Sequence, residues 1–288
     1  MNIALTNLSD ENFSQSRLRL NASAGHHGIE IFFSYHFEDI KRTPFYSENE
    51  VILSQPTGLG YWLWKPYIIL ESLKKVNDGD LVIYSDSGIE IIGSLDPLIK
   101  ICEKEQPILL FANGNLINAE WTKRDCFILM DCDQRACWKA QQVDAAFGLF
   151  RKTDKTINFV KEWLDYGKDR RILTDIPNEM GKKNSWRFID HRWDQSILSL
   201  LAYKYKLNLY RMPTQFGNHY KSPPYRVTGE FNCISQKRLR QVNYYSSRPF
   251  YNSPYSQLLD HHRSRKVAFS GKQRSLLKKI ESRIRQWL

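Results

Sequence analysis

Short apolar runs and longer amphipathic stretches alternate along most of this chain. Apolar runs bounded by turn residues predict strands at MNIALTNLSD, GIEIFFSY, DLVIYSD, QPILLFAN, VDAAFGLFRKT and LNLYRMP. Three- and four-residue apolar spacing predicts helices at SQSRLRLNASA, at YWLWKPYIILESLKKV from about Pro66, at KTINFVKEWLDYGKD and at DQSILSLLAYKYKL. This alternation is typical of an α/β fold, a mostly parallel sheet flanked by helices.

The domain organisation follows from composition. Residues 1–260 contain neither an internal repeat nor a low-complexity linker, and they predict one domain. Within it, residues 211–260 are rich in Tyr, Pro, Ser and Asn, which predicts a long irregular segment lying over the functional site described below. Residues 261–288 differ: SLLKKIESRIRQWL has apolar residues at helical spacing between basic ones, which predicts a C-terminal basic amphipathic helix. Such a helix suits an anionic membrane surface, or it docks on the protein body.

The charge is concentrated in this tail. The chain carries a net charge of +11, of which the last 28 residues contribute +8 and the first 260 residues only +3. A nearly neutral body argues against a broad nucleic-acid face, so no specific nucleic acid is expected as a partner. Five scattered cysteines without a C-x-x-C pair predict reduced thiols. The sequence shows neither a signal peptide nor a membrane span, which predicts a cytoplasmic protein.

Two neighbouring segments carry candidate chemistry. In GDLVIYSDSG, Asp86 and Ser87 follow a buried-looking strand, where the carboxyl ends of parallel strands bind ligands. Asp86 is either a turn residue or a ligand of a divalent cation on a phosphate. In GLGYWLWKP, the aromatic residues Tyr61 and Trp62 precede Lys65, which could pair with a diphosphate. The alternative is that the aromatic side chains only pack in the core.

The segment GYWLWKPYIILESLKKVNDGDLVIYSDSG resembles a group of bacterial and viral nucleotide-sugar glycosyltransferases of the GT-A type, which serve capsule or surface-polysaccharide synthesis. The resemblance implies a GT-A-like, Rossmann-type fold and makes Asp86 the first Asp of an Asp-x-Asp motif that binds Mn²⁺ or Mg²⁺ on the donor diphosphate. Gly88 stands where the second Asp of the motif would be. Tyr61, Trp62, Lys65 and Ser87 become donor-binding candidates by the same resemblance.

The segment HRWDQSILSLL resembles a helix start of retaining GT-A enzymes, such as lipopolysaccharide galactosyltransferases and plant xylosyltransferases. In those enzymes the Asp-Gln pair lies beside the anomeric carbon, so Asp194 and Gln195 are the catalytic candidates here. The alternative for Asp194 is a helix N-cap. Asp144, which opens DAAFGLFRKT, falls where those families line the sugar pocket. In EWTKRD, Lys123 either belongs to a charged surface or contacts the sugar or acceptor.

GT-A enzymes commonly take one metal ligand from a late histidine. The triplet His261-His262-Arg263 favours His262 as the ligand with Arg263 on the donor phosphates, and His261 and His219 are alternatives. The resemblance implies a metal-dependent, hexosyltransferase-like enzyme that moves a sugar from a nucleotide-diphosphate donor to a surface glycan of the capsule or lipopolysaccharide type, with retention. Its acceptor would be a glycan or lipid-linked glycan. The enzyme would be a peripheral protein at the inner face of the cytoplasmic membrane. The rival interpretation is a non-catalytic protein that binds a membrane or nucleic acid through the tail.

Overall fold

The structure is a computed structural model of the 288-residue chain. It describes residues 1–217 and 250–261, together with the backbone of two strands at 226–232 and 237–243. The strands within these residues are β1 (Ile3–Ser9), β2 (Ile31–His36), β3 (Leu81–Ser85), β4 (Ile89–Ile91), β5 (Ile108–Ile117), β6 (Gln141–Arg151), β7 (Leu209–Arg211), β8 (Arg226–Asn232), β9 (Lys237–Asn243) and β10 (Leu259–His261).

The helices include five of nine residues or more and a set of short turns. In chain order they are α1 (Ser14–His26), α2 (Phe37–Ile40), α3 (Pro44–Glu48), α4 (Glu50–Leu53), α5 (Gly58–Tyr61), α6 (Trp64–Lys74), α7 (Asp96–Lys104), α8 (Asn118–Trp121), α9 (Arg124–Leu129), α10 (Arg135–Lys139), α11 (Asp154–Gly167), α12 (Arg170–Leu173) and α13 (Trp193–Lys204), with a 3-10 turn at Glu11–Phe13. Each of the four predicted helices is present.

One six-stranded sheet organises the fold, in the order β2-β1-β3-β6-β5-β7. The pairs β2–β1, β1–β3 and β5–β7 are parallel, whereas β6 runs antiparallel to both of its neighbours. The sheet is therefore mostly parallel and flanked by helices, which confirms the predicted fold class. The carboxyl end of β3, where Asp86 follows, lies beside the middle of β6 because Ser85 is paired with Phe147.

Both faces of the sheet are covered. Along β3 the side chains alternate between two apolar clusters, and every residue of the strand is buried. Val82 and Tyr84 join the cluster formed with α6, α11 and α13, while Leu81 and Ile83 join the cluster formed with α1 and α7. This burial on two sides explains why the strand reads as a continuous apolar run rather than an alternating one.

The segment 211–260 is more regular than its composition predicts. β8 and β9 pair antiparallel, with Arg226 opposite Asn243. β10 pairs antiparallel with β4, and His261 lies opposite Ile89. The prediction of a long irregular segment is therefore wrong in part, because backbone pairing supplies hydrogen bonds that the polar composition did not suggest. This pairing returns the chain to the vicinity of Asp86.

Three of the candidate residues, His219, His262 and Arg263, lie outside the described residues. So does the predicted amphipathic tail beyond residue 261. Among the helices that the structure describes, none is long and apolar enough to cross a membrane.

Candidate active site

Lys65 is the centre of the site. It lies in the first turn of α6 and is 3% exposed. Its Nζ is 2.7 Å from Asp194 Oδ2 at the start of α13 and 3.7 Å from Asp86 Oδ1 after β3. The same Nζ donates to the carbonyl of Ala145 on β6 at 3.0 Å. One buried ammonium therefore joins both of the sequence segments that resemble GT-A enzymes. It lies among protein oxygens rather than at the surface.

The charges of this cluster shift one another's protonation. Burial alone would lower the pKa of Lys65, but the carboxylates of Asp194 and Asp86 outweigh it and raise that pKa. Burial raises the pKa of Asp194 to about 6, and Lys65 limits the rise. Burial likewise raises the pKa of Asp144, against the opposing effect of His261. Near neutral pH the Lys65–Asp194 pair is therefore ionised.

Asp86 is held by the strand that precedes it. The Tyr84 hydroxyl donates to Asp86 Oδ1 at 2.6 Å, because alternate residues of a strand share one face. Burial, together with the negative charge of Asp86, raises the pKa of Tyr84 well above its usual range, so the hydroxyl stays a donor. Ser87 is also fixed, since its Oγ donates to the carbonyl of Leu8 at 2.7 Å. The sequence pattern did not identify Tyr84, although its two-residue spacing from Asp86 was the available signal.

The turn before α6 has an unusual backbone. Five consecutive residues have positive φ angles of 54° to 90°: Gly58, Leu59, Gly60, Tyr61 and Trp62. Left-handed conformations of non-glycine residues cost roughly 1–3 kcal/mol each and cluster at functional sites.

This turn forms an aromatic cluster with Trp193, the residue before Asp194. The rings of Trp62 and Trp193 stack at 5.1 Å, and Tyr61 lies 6.4 Å from Trp193. Trp193 also has a positive φ of 48°, and its Nε1 donates to Asp175 at 2.7 Å. The donor-binding candidates Tyr61 and Trp62 are thus partly buried next to the catalytic candidates.

The N-cap interpretation of Asp194 is wrong. α13 begins at Trp193 after Arg192, and no side chain caps it. Asp194 lies within the first turn and directs its carboxylate to Lys65, which is the partner that a buried anion requires. Gln195 is the next residue, and its Nε2 donates to Gln142 Oε1 at 2.9 Å.

The charged-surface interpretation of Lys123 is also wrong. Lys123 is 0% exposed, and its Nζ donates to the carbonyls of Thr174 at 2.9 Å and Ile176 at 3.2 Å. Burial lowers its pKa. These carbonyls belong to the stretch 174–192, which contains neither helix nor strand and which we call the 174–192 loop. The Nζ is therefore engaged with this loop, and its predicted contact with sugar or acceptor stays a prediction.

The residues next to Lys123 bind the same loop. The Asp125 carboxylate accepts from the backbone N–H groups of Glu179 at 2.5 Å and Met180 at 3.2 Å. The backbone N–H of Arg124 donates to Asn184 Oδ1 at 2.7 Å. An irregular loop leaves backbone groups unpaired by secondary structure, and the EWTKRD segment supplies partners for them.

His191 lies near the end of this loop and has a single tautomer. Its Nδ1 accepts from the backbone N–H of Lys123 at 3.3 Å, and its Nε2 donates to the carbonyl of Ile172 at 2.9 Å. A backbone N–H only donates and a carbonyl only accepts, so the proton sits on Nε2. Burial and the neighbouring Lys123 lower the pKa of His191 well below its usual range.

Two polar side chains at the carboxyl end of β1 were not identified from the sequence. Asn7 Oδ1 and Ser9 Oγ are buried and have no hydrogen-bond partner among the described residues. Because Ser87 bonds to the carbonyl between them, these atoms lie next to the end of β3. Polar atoms without a partner at this edge of the sheet are suited to receive a ligand.

Of the three candidate histidines, only His261 lies within the described residues. His261 on β10 lies opposite Ile89, and its backbone N–H donates to Gln215 at 3.1 Å. Within the described residues, no three His, Cys, Asp or Glu side chains are grouped closely enough to hold a metal ion. Asp86 offers one carboxylate oxygen, Oδ2, that has no partner among those residues. A metal site centred on Asp86 would therefore need a ligand from elsewhere.

Comparisons with known proteins find similarity only at the level of three-dimensional structure. No family model matches the chain, and no curated protein matches it. Similar solved structures include the bifunctional glycosyltransferase WbbM, with a TM-score of 0.45 and 11% identity over 74% of this chain and 39% of that one. Mouse xyloside xylosyltransferase 1 has a TM-score of 0.45 and 7% identity, covering 91% and 97% of the two chains. LgtC, a galactosyltransferase solved with donor and acceptor sugar analogues, has a TM-score of 0.37 and 13% identity over 90% of this chain and 86% of that one. At these identities no activity is transferred to this chain.

Proposed function

We propose that this protein is a glycosyltransferase that moves a sugar from a nucleotide-diphosphate donor to a surface glycan, with retention at the anomeric carbon. The observation that carries the proposal is the contact of Lys65 with both Asp86 and Asp194. The two segments resembling GT-A enzymes are far apart in sequence, and a chance resemblance of each would not require them to meet at one buried cation.

The geometry supports a division of roles along the edge of the sheet. Asp86 stands at the diphosphate end, held by Tyr84 and Lys65. Asp194 and Gln195 stand at the sugar end, where negative charge and carbonyl dipoles stabilise an oxocarbenium-like sugar. Lys65 keeps Asp194 ionised near neutral pH by opposing the effect of burial on its pKa. It also holds the two carboxylates at fixed positions.

The nucleoside would lie at the carboxyl end of β1. Asn7 and Ser9 offer buried polar atoms there without partners among the described residues. The half-buried rings of Tyr61 and Trp62 are suited to contact a sugar or base from the other side. Asp144, which is partly buried and close enough to Asp86 to feel its charge, would accept from sugar hydroxyls. The acceptor would be a glycan or a lipid-linked glycan of the capsule or lipopolysaccharide type.

Mn²⁺ or Mg²⁺ fits this site in part. Asp86 provides an oxygen ligand of the kind these cations prefer, and its Oδ2 has no partner in the described part of the chain. β10 brings the chain back beside the Asp86 turn, and His262 and Arg263 follow it directly in the sequence. We propose Asp86 and His262 as ligands, with His261 and His219 as alternatives. The cation would supply positive charge to the departing diphosphate.

A non-catalytic role is the second candidate, favoured by Gly88 in place of a second carboxylate. A screen of nucleotide sugars for hydrolysis and transfer, with Mn²⁺ or with chelator, separates the two. The transferase should consume at least one donor, and Asp86→Asn should abolish this turnover. Asp165→Asn, at an exposed position, is the matched control and should leave it unchanged. A protein that neither consumes a donor nor gains thermal stability from any nucleotide diphosphate would contradict the proposal.

A further inference from the structure

The side chain of Gln195 is held by a buried chain of amides. Its Nε2 donates to Oε1 of Gln142, the second residue of β6, which is 0% exposed. Ser199, one turn along α13, lies 3.3 Å from the same oxygen through its Oγ. On the other side, Gln142 Nε2 reaches Asn118 Oδ1 at 3.2 Å and Thr122 Oγ1 at 3.0 Å.

A backbone carbonyl decides which end of each side-chain amide donates and which accepts in this hydrogen-bonded series. The carbonyl of Cys137 only accepts, so Asn118 must donate to it through Nδ2, at 3.1 Å. Asn118 then presents Oδ1 to Gln142, which must offer Nε2 in return. Gln142 consequently presents Oε1 to Gln195, which must offer its own Nε2. The orientation of the Gln195 amide is therefore fixed without any contribution from a ligand.

We propose that Asn118 and Gln142 are positioning residues that hold the Gln195 carbonyl oxygen, rather than its NH₂ group, toward the donor sugar. The proposal rests on the proposed function. Within the described part of the chain, Gln195 Oε1 has no partner, and Gln195 directly follows the ionised Asp194. A carbonyl oxygen carries partial negative charge and stabilises a cationic sugar, whereas a rotated amide would present partial positive charge there.

The test compares two substitutions of similar size. Gln142→Met removes the acceptor for Gln195, so the amide rotates freely; kcat should fall on the order of 100-fold while affinity for the nucleotide is unchanged. Gln142→Glu keeps an oxygen toward Gln195 but loses a donor toward Asn118. Because a carboxyl oxygen would replace that donor opposite Asn118 Oδ1, it should be the less stable variant and yet keep a kcat close to wild type. A merely structural role would instead make kcat follow the melting temperature.

A double-mutant cycle tests whether Gln142 acts through Gln195. Gln142→Met combined with Gln195→Met should be no slower than Gln195→Met alone, since the positioned group is already gone. Additive losses, or an equal loss of kcat in Gln142→Glu and Gln142→Met, would overturn the proposal. If Gln142→Met fails to fold, Asn118→Leu replaces it in the same cycle, with the same expectation.

A second measurement separates this proposal from the proposed function. The side-chain NH₂ signal of Gln195, assigned by its loss in Gln195→Met, should exchange slowly with solvent in the wild type and in Gln142→Glu and rapidly in Gln142→Met. If the wild-type protein consumes no donor, the proposed function fails, while this exchange pattern still decides whether the amide chain holds Gln195. Rapid exchange in the wild type would overturn it.

Discussion

The ammonium of Lys65 lies 2.7 Å from the carboxylate of Asp194, and neither residue is more than 5% exposed. Removing one partner of a buried pair costs about 3–5 kcal/mol, because the other charge is left uncompensated. Here the cation has further oxygen contacts, from Asp86 and Ala145, so its environment does not depend on Asp194 alone. This arrangement makes the catalytic role of Asp194 separable from its role in stability.

Asp194→Asn should lower kcat about 100-fold or more while the protein remains folded. The amide oxygen still accepts from Lys65, and helix α13 loses no cap because Asp194 is not its N-cap. Steady-state turnover and the melting temperature measure the two effects. Asp165→Asn, whose side chain is 70% exposed, is the control and should change neither. Near-normal turnover in Asp194→Asn would exclude the carboxylate from the chemistry.

The pH dependence of turnover should report the ionisation of Asp194. Its pKa of about 6 predicts that kcat falls as the pH drops through this value, because the carboxylate becomes protonated. Lys65 lowers this pKa, so Lys65→Met should move the acid limb to higher pH. A pH–rate profile of both proteins measures the shift. An acid limb that stays in place would assign the titration to another group.

Stability should also depend on pH through His191. Its pKa is lowered well below 6.5, so the unfolded chain takes up a proton as the pH falls below 6.5 while the folded protein does not. This contribution to the free energy of unfolding is thus present above pH 6.5. It is lost as the pH falls toward the pKa of His191 in the folded protein, by up to about 1.4 kcal/mol per pH unit.

Urea unfolding at a series of pH values measures this effect. His191→Gln, which can still donate to Ile172 and accept from Lys123, should show a shallower loss of stability between pH 7 and 5. His27→Gln, at an exposed position, should keep the wild-type slope. Equal slopes in all three proteins would contradict the neutral, buried tautomer.

The left-handed turn before α6 should not tolerate a side chain at Gly60. Its φ is +90°, and an added Cβ would lie 2.5 Å from the Cα of Leu53, so Gly60→Ala should cost at least about 1–3 kcal/mol. The backbone movement that relieves this clash should also displace Trp62 relative to Trp193 and weaken donor binding. Gly25→Ala in α1, where an added Cβ meets nothing within 4 Å, should instead be neutral or stabilising. Thermal unfolding of the two variants measures the contrast, and equal effects would refute it.

The tail should attach the protein to anionic membranes. Basic residues near such a surface contribute about 1 kcal/mol each, and residues 261–288 carry a net charge of +8. Removing residues 272–288 should release the protein from anionic liposomes and leave turnover on a small soluble acceptor unchanged. Cosedimentation measures the binding. Binding to DNA or RNA that weakens steeply with salt would favour the rival role instead.

The fold class was predictable because burial on both faces of the sheet gives strands such as β3 a continuous apolar run. The direction of β6 was not, because β6 is buried on both faces over much of its length and such a strand has a nearly continuous apolar run whichever way it runs. β8 and β9 were missed because residues 226–243 are mostly polar, and their backbone pairing leaves no apolar signature.

The candidate site was predictable in its parts but not in its contacts. The resemblance identified Lys65, Asp86 and Asp194 separately, yet their meeting depends on how α6 packs on β1 and β3 and how α13 packs on β6. Charged composition made an exposed Lys123 one of two interpretations, whereas Lys123 is buried and donates to two carbonyls of an irregular loop. Gln142 had no sequence signal, because a buried glutamine in a strand is recognisable only from the amides around it.

The hydrogen bonds between the EWTKRD segment and the 174–192 loop affect which loop residues can be substituted. Much of what the segment holds is loop backbone together with Asn178 and Asn184, rather than the outward-facing loop side chains. Trp186, 80% exposed, contributes to none of these anchoring bonds. Outward positions of the loop, such as Trp186, can therefore be exchanged with these anchoring bonds intact, so this part of the surface can vary in sequence while the start of α13 keeps its place.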